Sequence, residues 1–342
     1  MNISVIGAGA WGTALSIVLG RKGTHRVRLW AFEKEVCESI LSRRTNDLFL
    51  AGSQIPQSVT PTNSFEDALR GAEIVVSVMP SHHCRGLFTK MAPYLMPDML
   101  FVSASKGVEN DTLQRMSEVL CHVLRETACI ERPLIGALSG PSFAKEVARG
   151  DPTAITIASK DSQLAEIVQR EFSEPSFRVY TNDDVAGVEL GGSLKNVIAI
   201  AAGVCDGLGL GFNTIAALIT RGLAEITRVS VACGARAETM AGLAGIGDLV
   251  LTCTGGLSRN RTVGVELGKG RKLDEIIAGM HGMVAEGVLT TKAAVGLARK
   301  YSVEMPITEQ IDAILNRGKS PRDAIHELMT RPGTSEVALH KV

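Results

Sequence analysis

The sequence has no net charge, no closely spaced cysteine pairs and no long apolar run, and each absence removes a class of function. Lys and Arg number 36 against 36 Asp and Glu. Such a balance gives no general attraction to nucleic acid or to an anionic membrane, although local basic pockets stay open. The cysteines, at 37, 84, 121, 129, 205, 233 and 253, are odd in number and never spaced C-x-x-C. A disulfide framework is therefore not expected, and a reducing, cytoplasmic setting is. No basic leader with a cleavage site is visible, because Met1 runs directly into the strand-like Asn2-Ile3-Ser4-Val5-Ile6. No stretch of 18 consecutive apolar residues marks a membrane span, so no integral membrane association is expected. Repeats and low-complexity segments are also missing. What remains is a chain of 342 residues, 45% apolar and 21% charged, the balance of a soluble globular protein with a length that suggests two domains.

The first half alternates short apolar runs with helical patterns. Residues 3–6, 27–30, 74–79, 100–103, 134–138 and 154–158 read as buried strands, rich in Val, Ile and Leu. Helical periodicity fills 11–22, 34–43, 65–70, 113–124 and 163–172. Strand and helix in alternation imply right-handed crossovers and a mostly parallel sheet. From Val185 onward the strand signals stop. Residues 188–204, 214–233, 274–280, 290–300, 307–316 and 321–329 suit helices, the last opening on Ser320-Pro321 as N-cap and first turn. The expectation is an α/β Rossmann-type domain over 1–184 followed by an all-helical domain over 185–342.

The strongest motif is Gly7-Ala8-Gly9-Ala10-Trp11-Gly12, a G-x-G-x-x-G that follows a strand and opens a helix. In such a turn the first glycine permits the bend and the second lets backbone approach a pyrophosphate. The third allows close helix–strand packing. The helix N-terminus adds N–H groups and partial positive charge. An acid should end the next strand about 20 residues on, to bind a ribose 2′-hydroxyl. Glu33 lies 21 residues past Gly12. A carboxylate there repels a 2′-phosphate, so NAD is favoured, with NADP the alternative that Lys34 can assist.

Other chemistry-bearing residues are scattered. Lys106 follows the strand 100–103, at the sheet edge where ligands of open α/β folds gather. Gly140-Pro141-Ser142 is another strand-to-helix turn on that edge. In the second half, Lys195 and Asn196 sit inside an apolar helical stretch. A lysine there either faces a partner or a watery cleft, where its pKa can move for proton transfer, or snorkels to solvent. Asp248 follows Gly245-Ile246-Gly247 and can cap a helix or pair with a lysine. Ser258-Arg259-Asn260, after Gly255-Gly256, is either a phosphate-gripping loop or an ordinary basic one. His82, His83 and Cys84 are adjacent, a spacing that seldom serves one ion, and no metal is expected.

Taken in order, GAGAWGTAL at 7–15, SKG at 105–107, SGPSFAKEV at 139–147, ELGGSLKNVIAIAAG at 189–203, GIGDLVLTC at 245–253, SRN at 258–260 and VAEG at 284–287 resemble the bacterial type of NAD(P)-dependent glycerol-3-phosphate dehydrogenase. The resemblance spans nearly the whole chain. It implies a Rossmann-type domain, a helical domain and an active site in the cleft between them. It further implies interconversion of dihydroxyacetone phosphate and sn-glycerol 3-phosphate, which supplies phospholipid synthesis. By that resemblance Lys195 is the acid/base, and Lys106 touches both substrate and cofactor. Gly140, Ser142, Asn196, Asp248, Ser258, Arg259 and Asn260 are substrate contacts, while Ala10, Trp11, Phe32, Ala144, Arg259, Val284 and Glu286 complete the cofactor set. One departure stands out: many bacterial members carry a basic or imidazole side chain near the end of the second strand. This chain reads Trp30-Ala31-Phe32-Glu33, which puts an NADPH preference in doubt. The rival readings are a hydroxyacid dehydrogenase of similar build and a nucleotide-sensing scaffold. The apolar helices of the second half can serve as core or as the interface of a homodimer.

Overall fold

The apolar runs of the first half form one eight-stranded sheet in the computed structural model, which describes residues 1–280, 284–333 and 335–336. In chain order the elements are β1 (Asn2–Ile6), α1 (Ala10–Arg21), β2 (Arg26–Trp30), α2 (Lys34–Arg43), β3 (Val59–Thr62), α3 (Phe65–Leu69), β4 (Ile74–Ser77), α4 (Cys84–Met91), β5 (Leu100–Ser103), α5 (Met116–Glu126), β6 (Leu134–Ser139), α6 (Ala144–Arg149), β7 (Thr153–Ser159), α7 (Ser162–Phe172) and β8 (Phe177–Asn182). The strand order is β3-β2-β1-β4-β5-β6-β7-β8, parallel throughout except between β6 and β7. The order reverses between β1 and β4, the switch point at which such sheets take ligands beyond their strand ends.

Burial on both faces explains the sequence. Ile74, Val75, Val76 and Ser77 are all buried, as expected for a central strand with helices on each side. Successive residues face opposite cores. Ile3, Val5, Ile74 and Val76 join α1, α2, α6 and α7 in one cluster. Ile6, Val75 and Phe101 join α3, α4 and α5 in the other. In the first half, two strands and a helix escaped the sequence reading. β3 contains Pro61, tolerated because β3 is an edge strand. β8, the opposite edge, alternates buried Phe177 and Val179 with exposed Arg178 and Tyr180, so it lacks an apolar run. α4 is short and follows a 3-10 turn through His82 and His83.

The chain divides into two units: Met1–Lys106 with Gln114–Val188, and Gly107–Leu113 with Glu189–Val342. The short segment 107–113, inside the first domain on the sequence expectation, groups with the second unit. Val108 joins that unit's core, and the Leu113 side chain fills the space above Gly296. Residues 337–342, counted in the expected second domain, lie outside the described residues.

The second half is helical: α8 (Val185–Gly207), α9 (Phe212–Ala232), α10 (Asp248–Thr254), α11 (Arg259–Gly268), α12 (Leu273–Ala278), α13 (Glu286–Lys300), α14 (Pro306–Arg317) and α15 (Pro321–Met329). By length and composition α8 could cross a bilayer, but its apolar window is wholly buried within the protein. It is a core helix, lined by Leu194, Val197, Ile198 and Ile200. Glycines let α11 lie directly on it. A Cβ on Gly203 would stand 2.0 Å from the Arg261 carbonyl oxygen, and one on Gly264 2.0 Å from that of Ile200. α10 and α11 were not among the expected helices: they are only seven and ten residues long and carry several polar side chains.

Candidate active site

In the first unit, the glycine turn stands between the carboxyl end of β1 and the start of α1. Gly7 follows β1 with a φ of +120°, a conformation that only glycine adopts readily. A Cβ there would press to 2.4 Å from the Val78 carbonyl oxygen, and one on Gly12 to 1.9 Å from the Gly7 carbonyl oxygen. Nothing lies within 4 Å of a Cβ placed on Gly9, the N-cap of α1. The turn is thus tight where it packs and open where a pyrophosphate would approach. No side chain of the N-cap residue caps α1, and among the described residues the buried Trp11 Nε1 has no hydrogen-bond partner. Both are donors that a bound dinucleotide can use. These features fit a nicotinamide dinucleotide.

A residue absent from the sequence reading pins this turn. Asn46, fully buried, donates from Nδ2 to the Ala8 carbonyl and to Thr13 Oγ1, both at 2.8 Å. It sits in a polar loop after α2, and no local pattern separates it from a surface asparagine.

Phe32 and Glu33 follow β2. Phe32 is 76% exposed, and Glu33 is the N-cap of α2. Trp30 stacks on Phe65 at 4.5 Å and donates from its indole to the Asn63 carbonyl. Asn63 in turn donates to the Ala31 carbonyl at 2.7 Å. The strand end that presents Phe32 and Glu33 is therefore held from below.

Lys106 and the Gly140–Ser142 turn come together. Lys106 Nζ donates to the Gly140 carbonyl at 3.0 Å, and Ser142 Oγ donates to the same oxygen at 2.9 Å. Gly140, at a φ of +143°, leaves no room for a side chain, since a Cβ would lie 2.9 Å from Ile155 Cα. Ser105, next to Lys106, clips the chain by donating to the Met79 carbonyl at 2.7 Å and accepting from the Met79 N–H at 3.1 Å. Ala144 is the first residue of α6, packed against the same core as Ala10 and Trp11.

In the second unit the lysine on α8 does not snorkel. Lys195 is 5% exposed and Asp248 is 1% exposed. Lys195 Nζ donates to Asp248 Oδ1 in a salt bridge and to Thr252 Oγ1 at 2.8 Å. Thr252, another residue the sequence reading missed, donates its own hydroxyl to the Asp248 carbonyl at 2.6 Å. It sits four residues after Asp248 on α10, one turn along the same face. A distorted turn at Leu243–Gly247 delivers Asp248 to the lysine. Gly191, one turn before Lys195, makes the approach close: a Cβ there would meet the Ala244 carbonyl oxygen at 2.6 Å. The neighbouring Cys253 is no rival nucleophile, because burial pushes its thiol up to about 12 despite Lys195 nearby.

The expected Ser258–Asn260 loop is instead the start of α11. Ser258 is its N-cap and accepts from the Arg261 N–H at 3.2 Å. Arg259 is the first helical residue and is exposed, whereas Asn260 is buried. Val284 precedes α13 and Glu286 is its first residue. Among the described residues no cluster of three or more His, Cys, Asp or Glu has metal-binding geometry.

Comparison with known proteins bears on the family. The family model described as the NAD-dependent glycerol-3-phosphate dehydrogenase N-terminus matches residues 2–165, and the C-terminus model of the same name matches residues 184–326. The chain is 71% identical to a protein of Koribacter versatilis named glycerol-3-phosphate dehydrogenase of the NAD(P)+ type, over 99% of each chain. It is 54% identical to the one named so in Geobacter sulfurreducens, over 96% of this chain and 97% of that one. Among solved structures, it is similar to glycerol-3-phosphate dehydrogenase from Coxiella burnetii, with a TM-score of 0.91 at 39% identity, over 96% of this chain and 99% of that one.

Proposed function

The chain belongs to the NAD-dependent glycerol-3-phosphate dehydrogenase family, and we propose that Lys195 is the acid/base through which it acts. As a member it is an NAD(P)-dependent oxidoreductase that interconverts dihydroxyacetone phosphate and sn-glycerol 3-phosphate, a supply of glycerol 3-phosphate for phospholipid synthesis. The observation that carries the assignment of roles is the buried cluster of Lys195, Asp248 and Thr252. An ionised lysine held by a carboxylate and a hydroxyl is both charged and aimed.

When bound, the nicotinamide supplies or accepts the hydride. Reduction at C2 of dihydroxyacetone phosphate builds negative charge on the carbonyl oxygen. Lys195, as ammonium, gives that oxygen a proton. In the oxidative direction the neutral amine takes the proton of the C2 hydroxyl. Acid–base catalysis of this kind typically contributes about 10²–10⁴-fold. Asp248 and Thr252 hold Lys195 in line, while Lys106 polarises the substrate and touches the cofactor. Arg259 grips the phosphate, with Ser142, Asn196, Ser258, Asn260 and the Gly140 backbone completing the substrate contacts. Binding energy from the phosphate then orients the carbonyl, remote from the bond that changes. Gly7, Gly9, Ala10, Trp11, Gly12, Ala144, Val284 and Glu286 hold the dinucleotide. Phe32 and Glu33 present a carboxylate to its ribose, which favours NAD over NADP. We also infer a homodimer, supported by α9, whose first residue Phe212 is 93% exposed beside Leu210. A cytoplasmic location is supported by the odd number of cysteines, none of them spaced C-x-x-C.

The test is oxidation of NADH by purified protein that depends on dihydroxyacetone phosphate, repeated with NADPH. Lys195→Ala should bind cofactor normally and lose nearly all turnover. Near-normal turnover in that variant would remove Lys195 from the mechanism.

A further inference from the structure

Asn260 carries more than a substrate contact. It is the second residue of α11, next to Arg259, and is buried. Its Oδ1 accepts from the Gly287 N–H at 2.9 Å, and its Nδ2 donates to Asn196 Oδ1 at 2.9 Å. Gly287 is the second residue of α13, and the first N–H groups of a helix have no partner inside it. Ala285, the N-cap of α13, has no side chain able to supply one. Asn260 therefore caps α13 from another helix. The N–H of Gly287 also decides which way the amide faces: oxygen towards α13, nitrogen towards α8.

Packing leaves this junction little slack. A Cβ on Gly287 would lie 2.6 Å from the Asn196 carbonyl oxygen, 2.9 Å from Asn260 Oδ1 and 2.9 Å from Ile200 Cδ1. One amide thus joins three helices: α8 beside Lys195, α11 beside Arg259, and the first turn of α13 beside Glu286. We infer that Asn260 is a positioning residue for the cofactor, holding the Val284–Glu286 turn in its binding geometry while Arg259 holds substrate. The inference rests on the assignment of Val284 and Glu286 to the cofactor made above.

The test is fluorescence titration of the full-length protein with NADH in the absence of substrate, alongside steady-state kinetics. Asn260→Leu, similar in size but without polar atoms, should weaken NADH binding about five- to tenfold, the size of a lost helix cap. Asn260→Asp keeps an acceptor for the Gly287 N–H, and Asn196 can turn its amide to donate to it. That variant should bind NADH within about twofold of the wild type, yet keep a raised KM for dihydroxyacetone phosphate, because it sets a negative charge beside the phosphate site. Should the leucine variant not fold, Asn260→Ser, too short to reach Gly287, carries the same expectation. Wild-type NADH affinity in the leucine or serine variant, with only the substrate KM raised, would reduce Asn260 to a substrate contact. Equal loss in the aspartate variant would also overturn the capping role. Glu286→Ala in the same titration separates the two levels. If it leaves NADH binding unchanged, the cofactor assignment of that turn fails and the inference falls with it. If it weakens binding while Asn260→Leu does not, the positioning role alone fails.

Discussion

Replacing Asp248 with asparagine isolates the charge in the catalytic cluster from its shape. Asparagine keeps an oxygen that can accept from Lys195, and Thr252 still lies 2.8 Å from Nζ. What disappears is the opposite charge beside an ammonium that is only 5% exposed. Removing one partner of a buried ion pair typically costs about 3–5 kcal/mol, and a lysine can escape that penalty by releasing its proton. An opposite charge at this range favours the ionised form by about 1–3 pH units, or about 1.4–4 kcal/mol at the usual conversion. Loss of the carboxylate disfavours the ammonium, and Lys195 then deprotonates at lower pH. Reduction of dihydroxyacetone phosphate requires the ammonium, so its rate should begin to fall at a pH lower by about 1–3 units. Oxidation of glycerol 3-phosphate requires the neutral amine, so its rise should move down by the same amount. The assay is initial rate against pH in both directions at saturating substrate. Profiles that superimpose on those of the wild type, with kcat retained, would refute the pairing of Asp248 with a proton-donating Lys195.

Three further outcomes follow from other parts of the molecule. Gly12→Ala forces a Cβ to within 1.9 Å of the Gly7 carbonyl oxygen, so NADH affinity should drop about tenfold or more with an overpacking cost of about 1–3 kcal/mol; titration showing undiminished affinity would mean the turn does not hold the dinucleotide. Glu33→Ser removes the carboxylate opposed to a 2′-phosphate and should shift the ratio of kcat/KM for NADH over NADPH towards NADPH by about tenfold, worth about 1.4 kcal/mol; an unmoved ratio would place the preference elsewhere. Glu225 is buried on α9 and accepts from the Ile307 and Thr308 N–H groups at the start of α14, at 2.6 and 3.2 Å. Burial raises its pKa to about 7, against the lowering effect of those bonds and of Arg228. An acid raised in the folded state loses stability as pH climbs from its ordinary value to its folded one. Between pH 4.5 and about 7 the wild type should therefore lose about 3 kcal/mol relative to Glu225→Gln. Urea denaturation at several pH values measures this, and parallel stability curves would contradict it.

Much of the fold was legible because its signals are local. Central strands buried on two faces must be apolar runs, as in Ile74–Ser77, and a pyrophosphate turn needs glycines at fixed spacing whatever surrounds it. The second-half helices announced themselves by apolar periodicity over 12 to 23 residues. Edge strands escaped, because one exposed face or a proline erases the run, as in β8 and β3. α10 and α11 escaped because short helices carrying polar residues look like loops.

By itself, then, the sequence determined the sheet-then-helix order, the glycine turn from Gly7 to Gly12 and the residue types available for chemistry. Tertiary structure alone decided which of those residues meet. Lys195 and Asp248 stand 53 positions apart, and only the glycine-permitted approach of the turn before α10 to α8 makes them a pair rather than a snorkelling lysine and a helix cap. Asn46, Thr252 and the capping role of Asn260 belong to the same class. A hydrogen bond between distant segments leaves no periodicity in either one, and its polar atoms become functional only when folding removes the water that would otherwise satisfy them.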